Sequence, residues 1–253
     1  MNVCAILFSL LLSGLPLRTE APVVHSEELV YVIHYKWGIL NADVARLYCS
    51  ADSVTYEGQR AYRARIYGKT AKMFDSIVRV REDFTSYLSA SDLSPLRSER
   101  EADEAKFKGG EVYNYDREAG KLLMKIETNS SYKEKEFPLE KGLVDVPALF
   151  YSFTNADIQK MPEGEPFGVK VAVGDTVEEV FFKYMGRQNI KIRGIGKVDT
   201  HKFLIQVNSG QTFDPKNAIS IYASDRDGLL PLYFEAPMRL GKVVGRLESP
   251  EQP

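Results

Sequence analysis

The stretch AISIYASDRDGLLPLYFEAPMRLGKVVGRL, at residues 218–247, decides the fold. Three runs rich in β-branched, aromatic and aliphatic residues follow one another there, at residues 219–223, 230–236 and 242–247. The polar turn between the first two runs ends in Gly228, which can adopt the positive φ of a tight hairpin. Pro237 interrupts the second run at its end. The stretch therefore predicts three consecutive antiparallel strands.

The rest of the chain continues this pattern. Residues 62–67 alternate apolar and charged side chains, which is typical of a strand with one buried face. Asp145, Val146 and Pro147 form a helix start signal before an apolar stripe. We expect an all-β, mostly antiparallel fold: a curved sheet, half-barrel or open barrel of about a dozen strands with one short helix.

Two glycines mark a further predicted hairpin. Gly109 and Gly110 separate two strand-like runs, so we expect the turn to lie at this pair. The preceding residues, 97–108, are dense in charges of alternating sign. A helix with paired charges is possible there, but an exposed hairpin strand fits better beside the two glycines.

The N-terminus has the features of an export signal. Residues 3–15, VCAILFSLLLSGL, form an apolar run of signal-core length that is too short to span a membrane. We expect cleavage after Ala21, so that residues 1–21 are a signal peptide and residues 22–253 a single β-rich domain. Leu15 stands where a lipoprotein would need cysteine. The sequence thus predicts a periplasmic protein that is not a lipoprotein and has no transmembrane segment after cleavage; the alternative is a buried N-terminal helix.

Composition narrows the possible partners. The net charge of −2 gives no basic field for nucleic acid, so we expect no nucleic-acid partner. The hydrophobic content of 44% is sufficient for a packed core. Cys49 is the one cysteine outside the predicted signal, which excludes an internal disulfide in the mature chain and predicts a buried, inert thiol.

No motif in the sequence carries recognisable chemistry. His25, His34 and His201 are far apart and none belongs to a metal-binding pattern, so we expect neither a metal nor another cofactor. No phosphate-binding glycine loop and no nucleophile elbow occur. No catalytic residue is predicted, and the protein is more consistent with a binding role than with an enzyme.

Aromatic residues are the remaining functional indication. Tyr31, Tyr35, Trp37 and Tyr62 lie on or beside predicted strands, where they could line a concave ligand-binding sheet. Packing in a β-sheet core would explain the same residues. We name these four as candidate ligand-binding residues.

Three stretches resemble one bacterial exported family, filed as domain of unknown function 3108. They are the strand–Gly38–strand opening at residues 28–42, the helix start DVPALFY at 145–151, and the ending IYASDRDGLLPL at 221–232 with Gly241 and the GRL of 245–247. The chain departs from the family at Asn41, where glycine is frequent, and at Tyr222, where tryptophan is frequent. The resemblance implies one envelope-associated antiparallel β domain and carries over no functional residues.

Three functional hypotheses follow. The first is a non-enzymatic exported cell-envelope protein that binds a lipid or glycan on its curved sheet. The second is a structural or protein-interaction module with a filled core, which docks on an envelope protein through a sheet edge or the charged hairpin at 97–108. The third is an envelope hydrolase, which requires dispersed acidic or histidine side chains to converge in a cleft.

Overall fold

The computed structural model describes residues 15–24, 27–75, 79–104, 107–207, 217–224 and 228–248. Residues 1–14 of the predicted signal peptide therefore lie outside the described residues, as do residues 225–227 of the predicted closing turn.

Within the described residues, fourteen antiparallel strands form one sheet, which confirms the predicted all-β class. The count is slightly above the expected dozen. The strands are β1 Leu29–Trp37, β2 Leu40–Tyr56, β3 Gln59–Thr70, β4 Arg81–Ser89, β5 Pro95–Glu104, β6 Phe107–Asp116, β7 Lys121–Thr128, β8 Tyr132–Pro138, β9 Pro166–Val173, β10 Thr176–Ile192, β11 Gly196–Val207, β12 Ile219–Ser224, β13 Leu230–Pro237 and β14 Lys242–Leu247.

The sheet consists of two antiparallel meanders, which are joined where the first strand pairs with the last. Strands β1 to β8 pair in sequence order, β9 to β14 do the same, and β14 pairs with β1. The first and last strands therefore lie in the centre, and β8 and β9 are the outermost strands. The predicted closing three-stranded unit is β12–β13–β14, which the structure confirms.

Side chains bridge the seam between β8 and β9, although no ladder between these two strands occurs in the described residues. Lys135 of β8 contacts Asp175, in the β9–β10 turn, with its Nζ 2.8 Å from the main-chain oxygen and 3.0 Å from the carboxylate. The hydroxyl of Tyr113 donates to the Gly174 carbonyl at 2.8 Å. The result is an open barrel, as the sequence predicted.

In the part of the chain that the structure describes, one helix, α1 (Val146–Thr154), fills the concave side of this sheet, and two 3₁₀ turns lie at Lys72–Phe74 and Ile158–Lys160. Asp145 caps α1 by accepting a hydrogen bond from the Ala148 amide at 2.9 Å. This carboxylate is fully buried, and its burial raises its pKa although Ser86 and Tyr115 donate to it. The predicted start signal is confirmed.

Aromatic packing holds α1 inside the sheet. The Phe153 ring lies 5.0 Å from the Phe203 ring and 6.0 Å from the Phe182 ring, and all three side chains are buried. Small residues on the facing strands, Ala51 and Ala64, leave room for the helix. The centre of the half-barrel is thus a packed core.

Two local predictions have different outcomes. Cys49 is fully buried, and burial raises the pKa of its thiol to about 12, which confirms a buried thiol. The turn predicted at Gly109 and Gly110 is wrong, because both residues lie inside β6, paired with Ala102 and Glu101. Strands β5 and β6 stay paired as far as Glu104 and Phe107, so the charged hairpin exists and its two strands connect before Gly109.

Candidate functional site: an exposed hairpin tip

The four aromatic candidates do not converge on one cavity. Tyr31 is 1% exposed, its ring meets the Phe150 ring edge-on at 6.4 Å, and its hydroxyl donates to the Pro231 carbonyl at 2.8 Å. Tyr62 is half-buried against the central core. Both side chains contribute to packing around α1 and do not face an open concave surface.

Tyr35 and Trp37 lie elsewhere, at the end of β1 where two hairpin turns meet. The Tyr35 hydroxyl donates to the Leu240 carbonyl at 2.6 Å, which ties the β13–β14 turn to β1. Trp37 is 51% exposed beside this contact. The turn between β1 and β2 is therefore held against the turn between β13 and β14.

Four large apolar side chains project from these two turns. We call residues 36–39 and 238–242 together the hairpin tip. Trp37 and Ile39 are 51% and 105% exposed, and Met238 and Leu240 are each 54% exposed. They are half of the eight strongly exposed large apolar residues in the described part of the chain. Such clustering of apolar surface is uncommon on a monomeric protein and marks an interaction site.

Glycines permit the two turns to approach each other. Gly38 has a φ of +56° and Gly241 a φ of +78°. A Cβ at Gly241 would lie 2.1 Å from the Lys36 carbonyl oxygen and 2.8 Å from the Trp37 Cβ. Only glycine fits this approach without displacing the backbone. The Gly241 carbonyl also accepts a hydrogen bond from the Met238 amide at 3.1 Å, which closes the turn.

Cations surround the apolar side chains. Lys36 and Arg239 are exposed at the tip, and Lys242 pairs with Glu235 at 2.9 Å. Burial raises the pKa of Glu235. Hydrogen bonds from Tyr233 and Lys242 and the charge of Lys36 lower this pKa by a larger amount, so the net shift is downward. The tip thus carries three cations, and two of them, Lys36 and Lys242, act on the Glu235 carboxylate, which stays ionised at neutral pH.

The sequence contains a signal for this site, and that signal lies in the turns and not in the strands. Ile39, Met238 and Leu240 are apolar residues inside turns, where polar residues are the rule. The aromatic pattern indicates Tyr35 on a predicted strand and Trp37 beside it, but it does not include Ile39, which is not aromatic. Met238 and Leu240 are not predicted to lie near them, because more than 190 residues separate the two turns along the chain.

A second surface feature lies on the outer face of β2 and β3. Tyr48 and Tyr67 are cross-strand partners whose rings stack at 6.1 Å, and Lys69 lies 4.9 Å above the Tyr48 ring. Glu28, Ser50 and Arg65 complete a shallow depression of about 200 Å³ around the rings. Flat aromatic faces beside hydrogen-bonding groups suit a sugar ring.

A cluster of acidic side chains lies on the inner face of β4, β5 and β6. Glu82 and Glu111 both form ion pairs with Arg100, and the Glu104 carboxylate lies 3.7 Å from the same guanidinium. A hydrogen bond with Glu82 raises the pKa of Glu104. The Tyr113 hydroxyl shares its one proton between the Glu111 carboxylate and the Gly174 carbonyl. Arg100 lies at the centre of the cluster and neutralises part of its charge.

The described residues contain neither a metal-binding group nor a membrane-spanning helix. Among these residues, no three His, Cys, Asp or Glu side chains are grouped so that they could hold a metal ion. In the same part of the chain, no helix has both the length and the apolar character required to cross a bilayer.

Fold and site together define a β-barrel-like protein with an open sheet, a helix-filled interior and an exposed apolar tip. The chain belongs to the family described as "Protein of unknown function (DUF3108)", whose model matches residues 30–248. No curated protein matches the chain.

Among solved structures, the chain is similar to the beta-barrel-like protein of domain of unknown function DUF1849 from Brucella abortus. The TM-score is 0.58 at 12% identity, and the match covers 90% of this chain and 97% of that chain. At this identity the similarity concerns the fold alone.

Proposed function

We propose that this protein is a non-enzymatic, exported cell-envelope protein that docks on a lipid surface through its hairpin tip. The observation that carries the proposal is the cluster of Trp37, Ile39, Met238 and Leu240, exposed together on two adjacent turns among basic residues. Export is supported by the apolar run at residues 3–15, and the periplasm remains the proposed location.

The tip combines two attractions toward a bilayer. Burying apolar surface contributes about 25 cal/mol per Å² removed from water, and tryptophan favours the interface between headgroups and acyl chains. Lys36 and Arg239 add attraction to anionic headgroups, worth about 1 kcal/mol for each cation near the surface. Neither force alone gives stable anchoring, but a tip with both can bind reversibly.

The filled interior favours a surface site over an internal one. Helix α1 and its aromatic neighbours occupy the concave side, where a carrier protein would hold a lipid. Tyr31 and Tyr62 take part in that packing. We therefore assign lipid contact to Trp37, supported by Tyr35, and not to the interior.

The intrinsic fluorescence of Trp37 tests the proposal directly, because it is the single tryptophan of the chain. Titration with phosphatidylcholine vesicles containing phosphatidylglycerol should shift its emission to the blue, and brominated lipid should quench it. Leu240→Glu should weaken binding by at least about tenfold, since a carboxylate replaces an inserted apolar group. Tyr132→Glu is the control, because Tyr132 is 58% exposed on the outermost strand β8, whereas the tip belongs to the central strands β1 and β14.

The charge contribution has its own readout. Arg239→Gln should weaken binding to the anionic vesicles about fivefold and leave binding to pure phosphatidylcholine unchanged. Unshifted emission with both vesicle types would refute lipid docking. Equal losses in Leu240→Glu and Tyr132→Glu would show that the tip is not the site.

A glycan is a second candidate ligand, favoured by the stacked Tyr48 and Tyr67 rings on the outer face. Sugar binding should then quench or perturb tyrosine signals of these two residues, and Tyr67→Ala should abolish it. Binding of envelope glycans that survives Tyr67→Ala would exclude this surface.

A further inference from the structure

An extended arm of the chain lies across the C-terminal end of helix α1. Leu17 forms an antiparallel bridge with Ala156. The Arg18 amide donates to the Asn155 carbonyl at 3.1 Å, and the Asp157 amide donates to the Pro16 carbonyl at 2.7 Å. Residues 16–18 therefore bind as a short added strand.

The Asn155 side chain holds the other end of the arm in the manner of a strand neighbour. Its Oδ1 accepts from the Val23 amide at 2.8 Å, and its Nδ2 donates to the Val23 carbonyl at 3.0 Å. Asn155 is buried, and its Nδ2 is also 2.9 Å from the Tyr151 carbonyl, which fixes the amide plane. Val23 belongs to the chain that remains after residues 1–21 are removed, so this contact fixes Asn155 and marks the end of the groove.

Apolar and charged contacts add side-chain preferences. Leu15 and Val24 pack against the central core from the two ends of the arm. A cleft of about 420 Å³ runs along it, and its lining includes Ser91, Asp92 and Gly228. Asp157 has a pKa lowered mainly by Lys160, with a smaller contribution from Arg18.

We propose that this groove is a binding site for an extended peptide segment of a partner protein. The site opens when residues 1–21 are removed, which is the one part of the proposed function on which the inference rests. Removal takes away the partners of the Asn155 carbonyl and the Asp157 amide, leaving a donor and an acceptor set for strand addition. The peptide that fits has the chemistry of the arm: extended, apolar at alternate positions as at Leu15 and Leu17, then basic.

The groove and the hairpin tip lie at opposite ends of the sheet. Gly228, beside the groove, precedes strand β13, whereas Met238 of the tip follows it. A protein docked on a lipid surface by the tip would therefore present the groove away from that surface.

The test uses the full chain with a protease site inserted between Ala21 and Pro22, cut after folding. The probe is a fluorescein-labelled peptide LPLRTEA, the sequence of residues 15–21. Its anisotropy should rise and saturate with the cut protein, and binding to the uncut protein should be at least about tenfold weaker, because the arm fills the groove. Gel filtration removes the cut N-terminal fragment before the titration, so that the groove is empty when the peptide is added. A peptide with Leu17→Asp should not bind.

Two variants at one position separate strand addition from loss of structure. Asp157→Pro removes the amide donor and should weaken the peptide at least about fivefold, whereas Asp157→Asn retains that donor and should bind normally. Circular dichroism confirms that each variant is folded before the titration. Equal binding by cut and uncut protein, or by the two folded variants, would overturn the proposal, as would an absence of binding to the cut protein. Because Trp37 fluorescence reports the tip, failure here is distinguishable from failure of lipid docking.

Discussion

At the scale of single residues, glycines in the closing stretch permit contacts that no other residue allows. Gly245 lies directly under the Phe234 ring, and a Cβ there would come within 2.0 Å of it. Gly228 has a φ of +107°, and a Cβ there would lie 2.4 Å from the Thr154 carbonyl oxygen at the end of α1. The same Thr154 carbonyl accepts the Leu229 amide at 3.0 Å, so β13 begins in contact with the helix.

Gly228→Ala should therefore be strongly destabilising. The strained φ alone costs about 1–3 kcal/mol, and the contact with Thr154 adds to this because a backbone atom must move. Urea unfolding followed by circular dichroism measures the loss.

Gly120→Ala is the control for that substitution. Its φ is +66°, and a Cβ there meets nothing within 4 Å, so only the left-handed conformation is penalised. We expect a loss of about 1–2 kcal/mol. If the two variants lose the same stability, the contact between Gly228 and Thr154 contributes nothing.

At the scale of elements, helix α1 forms the centre of the core against which the strands pack. Phe153→Ala should cost about 3–5 kcal/mol, because it removes a buried ring from between Phe182 and Phe203. Tyr132→Ala, on the exposed edge strand β8, should change the free energy of unfolding by less than about 0.5 kcal/mol. A small loss for Phe153→Ala would mean that the half-barrel is stable without its helix.

Elements were predictable from the sequence where their signals are local. The cap Asp145 and the residues after it announce α1, and period-two alternation announces strands such as β3 and β7. The turn at Gly109 and Gly110 was misplaced because glycine pairs are typical of turns. Here both glycines are paired inside β6, and a Cβ at Gly110 would make only an ordinary contact, 3.6 Å from the Arg100 carbonyl oxygen.

At the scale of the whole molecule, the pairing of β1 with β14 creates features that local patterns cannot reveal. It places Lys36 opposite Lys242 and so brings the two turns of the hairpin tip together. Helix α1 packs against the inner face of this central part of the sheet and buries Tyr31. An aromatic residue on a strand looks the same in the sequence whether it faces a packed helix, solvent or a ligand. The fold class was therefore predictable from the sequence, whereas a binding role for Tyr35 and Trp37 stays a prediction, and their apolar neighbours in the fold were not predicted.

The same scale governs how the barrel responds to acid, through the seam between β8 and β9. Strand β8 is exposed on both faces, and the side chains of Lys133 and Lys135 connect it to Asp175. Hydrogen bonds and charge from these two lysines, Lys135 foremost, lower the pKa of Asp175 below its usual 3.8. A carboxylate with a lowered folded-state pKa stabilises the fold above its unfolded pKa, and this contribution disappears as the pH falls through the folded pKa.

We therefore expect acid to loosen β8 before the rest of the sheet. Protection factors of the β8 amides in hydrogen exchange should fall below about pH 4, while those of β10 and β11 persist. Asp175→Asn should reduce β8 protection already at pH 7 and remove its dependence on acid. Glu134→Gln is the matched control, since Glu134 also has a lowered pKa but bonds Tyr132 and Lys125 and not the seam. If Glu134→Gln loosens β8 as much as Asp175→Asn, strand β8 is held by its general charge pattern and not by the contacts with Asp175.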